Sequence, residues 1–195
     1  VTNNSIIDTI NDIIIGRLCI ICPSALSINL IFKKFWLPPN SELFVYDAEN
    51  INNYIGAFTE NNNRNDSLFA ISPIRSNKIV LEFSTKLNNP KPIMVIKKVI
   101  HGYKDIFNMF KGFGSSGSCN ININCDIGEK WQREKRAVAM IMVDNNTRLC
   151  TGCMLNDSRE DTTPYFLTAF HCIENETPET WMFLFNYESP NCSNI

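Results

Sequence analysis

Tyr165-Phe-Leu-Thr-Ala-Phe-His171-Cys172 is the stretch on which the reading of this chain turns. An apolar run closes on Thr168-Ala169, passes one bulky residue and ends in a histidine beside a cysteine. This pattern predicts a short buried strand that leads into a turn presenting an imidazole. The adjoining cysteine can staple that turn to a neighbouring strand. Upstream, Cys150-Thr-Gly152 sits at another apolar run, and a Cys150–Cys172 bridge would join the two strands and fix the turn. A general base must be held within hydrogen-bond reach of the group it deprotonates, which makes a clamped His171 a candidate catalytic residue. The ordinary alternative is a structural histidine at a strand end. Only 24 residues follow His171; they contain no Asp, and their only serines are Ser189 and Ser193. A catalytic His171 is therefore expected to find its partners outside these 195 residues.

Around this stretch the chain is punctuated by Asn, Pro and Gly into short apolar or alternating runs. They predict strands at 16–21, 26–34, 42–47, 54–58, 68–72, 78–84 and 92–100, and then at 136–143, 147–155, 164–169 and 181–187. Many short strands at ~8–12-residue spacing point to an all-β sandwich or barrel. Residues 3–14 are the one stretch compatible with an amphipathic helix, although Ile and Asn form helices poorly. The alternation of Trp181, Phe183, Phe185 and Tyr187 predicts one face of a core strand.

The segment Lys111-Gly-Phe-Gly-Ser-Ser-Gly-Ser118 is small and flexible and reads as a linker. It divides the chain into residues 1–111, a β-sandwich of about seven strands, and residues 112–195. Of the eight cysteines, six lie beyond residue 118, a density that suggests disulfides and an oxidising compartment. A net charge of −2 supplies no basic field for nucleic acid. The short clusters Lys33-Lys34, Lys97-Lys98 and Arg133–Arg136 read as solvated faces. No apolar run approaches the ~20 residues that span a bilayer. The first residue is Val, as expected of a chain cut at its N-terminus, so the lack of a signal peptide carries little weight.

Cys19-Ile-Ile-Cys22 and Cys150-Thr-Gly-Cys153 are two C-x-x-C pairs, which raises zinc as a minor reading. More than a hundred residues separate them, where a zinc ribbon has ~15–20. Residues i and i+3 of a strand also point to opposite faces. Cys19 and Cys22 are thus expected to behave as small apolar side chains. His101, before Gly102 at the end of an apolar run, reads as a structural histidine.

Phe113-Gly-Ser-Ser-Gly-Ser-Cys119 with Cys125, Arg136-Ala-Val138, Cys150-Thr-Gly152, Asn156, Tyr165 to Cys172 and Phe185-Asn-Tyr187 together resemble the lysyl endopeptidase group. These are secreted bacterial serine proteases of the chymotrypsin-like fold. Residues from about 114 to 195 resemble the start of the mature protease, roughly its first barrel. Residues from about 16 to 110 resemble, more weakly, the region preceding it. The resemblance implies an incomplete chymotrypsin-like β-barrel, a peptide or protein substrate cut after a basic residue, and no cofactor or metal. It places the triad histidine on His171 and the triad's Asp and Gly-Asp-Ser-Gly turn beyond Ile195. It further implies the disulfides Cys150–Cys172 and Cys125–Cys192, with Cys119 paired outside this stretch. Phe170 is bulkier than the residue usual before His-Cys, and Cys153 stands where Ser is common. A Lys-preferring relative would cut itself at Lys111-Gly112, releasing residues 1–111 as a pro-region. The rival expectation is a non-enzymatic, disulfide-stabilised extracellular binding module or a degenerate protease.

Overall fold

The computed structural model describes residues 4–103, 117, 119–143, 149–159, 161–174 and 177–193. The chain divides into a unit of Val1–Asp105 and a unit of Ile106–Ile195, and both are built from antiparallel sheet. Lys111, Gly112 and all but Gly117 of the Gly/Ser segment lie outside the described residues.

In the first unit, β1 (Ile6–Ile10), β2 (Ile13–Ile21), β4 (Glu42–Asp47), β5 (Tyr54–Phe58) and β7 (Lys78–Lys86) form a sheet in the order β1-β2-β7-β4-β5. A second sheet has the order β6-β3-β8, with β3 at Ser27–Trp36, β6 at Phe69–Ala70 and β8 at Ile93–Gly102. Strand β7 alternates strictly, burying Ile79, Leu81, Phe83 and Thr85 while Lys78, Val80, Glu82 and Ser84 stay half-exposed. Its buried face meets Ile28, Leu30, Phe32 and Phe35 of β3, Leu43 and Val45 of β4 and Met94 of β8 in one cluster. Two sheets sharing one core make a β-sandwich.

Two local features depart from the sequence reading. Within the stretch 3–14, Ile6–Ile10 and the start of β2 form a hairpin rather than a helix. Asn11 (φ 49°) and Asp12 (φ 63°) occupy the left-handed region between Ile10 and Ile13, which pair directly. Two central residues at positive φ are what a two-residue turn of the I′ type requires, and Asn and Asp tolerate it best among residues with a Cβ. The β-branched isoleucines then favour strand. In β3, the register against β8 shifts at Ile31/Phe32 and again at Phe32/Lys34. This irregularity turns both Phe32 and Phe35 into the core, although residues three apart on a regular strand point to opposite faces. It also leaves the adjacent Lys33 and Lys34 both exposed.

In the second unit, β9 (Val138–Met142), β10 (Leu149–Leu155), β11 (Tyr165–Thr168) and β12 (Met182–Phe185) form an antiparallel sheet ordered β11-β10-β9-β12. Among the described residues the sheet is open rather than closed into a barrel. Its core is small: Ile141, Val143, Cys150 and Cys172 are buried, with Phe166 and Trp181 packed on them. The aromatic alternation on β12 is only partly core. Trp181 packs inward, while Phe183, Phe185 and Tyr187 are 39–42% exposed. Two turns of 3-10 helix, Asp126–Trp131 and Glu134–Ala137, precede the sheet.

Candidate active site

Strand β10 is the spine of the site. Its Gly152 lies opposite Thr168 of β11 on one side and Ala139 of β9 on the other. A Cβ at Gly152 would collide with the Phe166 ring and the Leu167 carbonyl, so only glycine permits this approach of β11 to β10. The Thr168 hydroxyl donates to the Thr151 carbonyl at 2.9 Å and ties off the end of β11. Ala169 is still extended (φ −76°, ψ 145°). The backbone then makes a single helical turn, α1 (Phe170–Ile173), in which the Cys172 amide donates to the Ala169 carbonyl and the Glu174 amide to the Phe170 carbonyl.

The turn is fastened through Cys172, whose sulfur is bonded to that of Cys150 with a Cα–Cα separation of 6.2 Å. Cys172 is 2% exposed, whereas its neighbour His171 is exposed and Phe170 is 77% exposed. An anchored, buried cysteine thus carries an open imidazole. A ring nitrogen of His171 and the two sulfurs lie within 4.8 Å of one another. This cluster is not a metal site, because sulfurs joined to each other no longer offer thiolates. Among the described residues no carboxylate, hydroxyl or carbonyl hydrogen-bonds His171.

A second bridge, Cys125–Cys192, has a Cα–Cα separation of 4.4 Å and joins the segment before the sheet to the segment after it. Around it, Asn124 Nδ2 donates to the Ser189 carbonyl at 2.7 Å and Asn122 Nδ2 to the Cys192 carbonyl at 2.9 Å. Lys135 Nζ donates to Asn124 Oδ1 at 3.0 Å and to Glu188 Oε1 at 2.9 Å. The alternating apolar pattern of the sequence gives no sign of this polar clamp. Ser189 is buried and its hydroxyl donates to the Ser193 carbonyl, and the Ser193 hydroxyl donates to Asn191 Oδ1, so both hydroxyls beyond His171 are committed to partners other than its ring.

The remaining cysteines are dispersed. Cys19 is exposed on the outer face of β2, and Cys22 packs against the sandwich core. Cys119 is exposed and Cys153 half-buried. His101 is an exposed residue of β8 opposite Ile28.

Residues 113–195 match the family described as the lysyl endopeptidase C-terminal domain. A lysyl endopeptidase of Pseudomonas aeruginosa is 29% identical over 99 residues, covering 47% of this chain and 20% of that protein. The chain therefore spans about a fifth of the length of this curated relative. No solved structure matches the chain. Taken with the all-β build and the disulfide-held histidine turn, these matches make the second part of the chain lysyl endopeptidase-like.

Proposed function

We propose that this chain is a portion of a secreted bacterial serine endopeptidase that cleaves after Lys or another basic residue, and that it carries the histidine of the catalytic triad, His171, without the Asp and Ser. The single observation that supports the reading is the contrast across one peptide bond. Cys172 is sunk in the sheet and bridged to Cys150, and His171 beside it stands open. The likeness of residues 113–195 to the lysyl endopeptidase C-terminal domain supplies the reaction class.

In that reaction the imidazole takes the proton of a serine hydroxyl as the oxygen attacks the scissile carbonyl. It returns the proton to the leaving amine and repeats the cycle with water. A carboxylate on the far ring nitrogen fixes the tautomer, and backbone amides stabilise the oxyanion. Each of these partners lies outside residues 1–195 in this proposal. Because the triad acts as a unit, this stretch alone is inactive. Residues 1–111 act as an accessory or pro-region, released by cleavage at Lys111-Gly112, and residues 112–195 open the protease domain. A second reading, a disulfide-stabilised extracellular binding module or degenerate protease, is favoured by the open sheet held by two bridges among the described residues.

The test uses the protein as its source secretes it. Peptide mapping is expected to find an Asp and a Gly-Asp-Ser-Gly segment beyond Ile195, a mature N-terminus at Gly112, and hydrolysis of Lys-containing peptides that His171→Ala abolishes. Peptidase activity from residues 1–195 alone, or a secreted chain ending at Ile195, overturns the proposal; the latter outcome selects the binding module.

A further inference from the structure

The second unit contains a cavity of about 400 Å³ that the catalytic reading does not use. Its apolar lining includes Val138 and Met140 of β9, Leu184 of β12 and Trp131. Met140 pairs with Thr151, and the next residue, Ile141, pairs with Cys150. Successive residues of a strand face opposite sides of the sheet, so the cavity opens on the side away from the Cys150–Cys172 bridge. Its mouth is built rather than incidental. The Cys125–Cys192 bridge and the bond from Asn124 to the Ser189 carbonyl hold the two chain segments that frame it.

The charges at the mouth select the occupant. Lys135 is already committed to Glu188 and Asn124, and the Lys135 and Glu188 side chains are only 18% and 25% exposed. That pair is electrically closed. Glu134, on the same lining, is exposed and has no ion-pair partner among the described residues. Of the charged residues on the lining, Glu134 is the one outside that pair, and it shares the lining with an indole that is 58% exposed. A carboxylate beside an aromatic face attracts a cation that brings an apolar body with it. The volume lies in the range of small-ligand sites, and an apolar lining with few convergent polar groups is their usual make-up.

We propose that this cavity is a binding site for an organic cation of the arylalkylamine type, with the ring on Val138, Met140 and Leu184 and the ammonium between Trp131 and Glu134. The site lies on the sheet face away from the Cys150–Cys172 bridge and does not use His171.

The experiment is a titration of the oxidised 195-residue chain, followed by methyl and amide NMR, with three probes of one shape: 2-phenylethylamine, 2-phenylethanol and 3-phenylpropionate. The amine is expected to bind saturably, about fivefold tighter than the alcohol and at least about tenfold tighter than the carboxylate. Shifts should centre on Val138, Met140 and Leu184, and the preference for the amine should shrink with added salt. Glu134→Gln should bring the amine and the alcohol to equal affinity without changing the alcohol. Trp131→Ala should weaken the amine about fivefold or more. Both replaced side chains are exposed, so the variants are expected to keep the parent's thermal transition, which circular dichroism checks. Equal binding of all three probes, preference for the carboxylate, absence of saturable binding, or shifts that map elsewhere each overturn the proposal.

Discussion

Replacing Cys150 and Cys172 together by alanine measures how much of the second unit is held by its sulfur bridges. The bridge closes a loop with a sequence separation of 22, and Cys125–Cys192 one of 67. Loop-closure entropy assigns these about 3 and about 4 kcal/mol of stability at 25 °C. A unit of this size has only about 4–12 kcal/mol in total. The apolar contribution is small here, since only six apolar residues are buried among the described residues of this unit and two of them are the half-cystines themselves. Loss of one bridge should therefore lower the melting temperature of the second unit by roughly 12–24 °C. Full reduction should unfold it at room temperature. The first unit contains neither bridge and buries fourteen apolar residues in one cluster, so its transition serves as an internal control. Calorimetry of the oxidised chain, the Cys150→Ala/Cys172→Ala chain and the reduced chain resolves the two transitions. A drop of less than about 1 kcal/mol in the second transition, or an equal shift in the first, would refute this account of the core.

Three further outcomes are expected. Phe32 is fully buried, edge-on to Phe35 and tilted against Phe69, so Phe32→Ala should cost the first unit about 3–5 kcal/mol in urea denaturation; a loss below about 1 kcal/mol contradicts the packing. Burial pushes the Cys22 thiol above its ordinary range, so its thiolate is scarcer at any given pH; iodoacetamide should modify the exposed Cys19 first, and equal rates by mass spectrometry would count against the strand placement. The hydrogen bond from Arg64, then that from the Leu68 amide, holds the Asp66 carboxyl below the usual carboxylate range. Protonation then favours the unfolded chain, so this contribution is present at neutral pH and is lost as pH falls through the folded-state value. An NMR titration should show the Asp66 midpoint rising in Arg64→Gln, and an unmoved midpoint rules out the Arg64 bond as its main cause.

The strands from β2 onward were legible because each is a short apolar or alternating run bounded by Asn, Pro or Gly, and hydrophobic period is a strong local signal. The β1–β2 hairpin escaped because its signal is not a period. It lies in two backbone angles at Asn11 and Asp12, and spaced isoleucines fit a helical face as well as a strand. The bulge in β3 escaped for a related reason. Lys33-Lys34 between apolar residues breaks the alternation, and only the register against β8 shows that the strand slips there to keep both Phe32 and Phe35 inside. The cavity had no sequence signature, since it depends on contacts such as Asn124 to Ser189 and Lys135 to Glu188, 65 and 53 residues apart in the chain.

The histidine turn is a different case: its local sequence carries much of its geometry, although β11 is a half-exposed strand at the edge of the described sheet rather than the buried strand expected. Apolar residues set β11, Gly152 lets it come close to β10, and Cys172 finds Cys150 across that pair. The exposure of the ring bears on the two readings of His171. A structural histidine is commonly sunk and hydrogen-bonded on its ring nitrogens, since a buried unpaired imidazole is costly. Here the neighbour is buried and covalently anchored, and the ring itself is left at the surface with no described group bonded to it. His171→Ala should then change stability by less than about 0.5 kcal/mol, as expected for an exposed side chain without partners. A loss of about 2 kcal/mol would mean that the ring braces the turn, and the argument for an imidazole held ready for an incoming hydroxyl would fail with it.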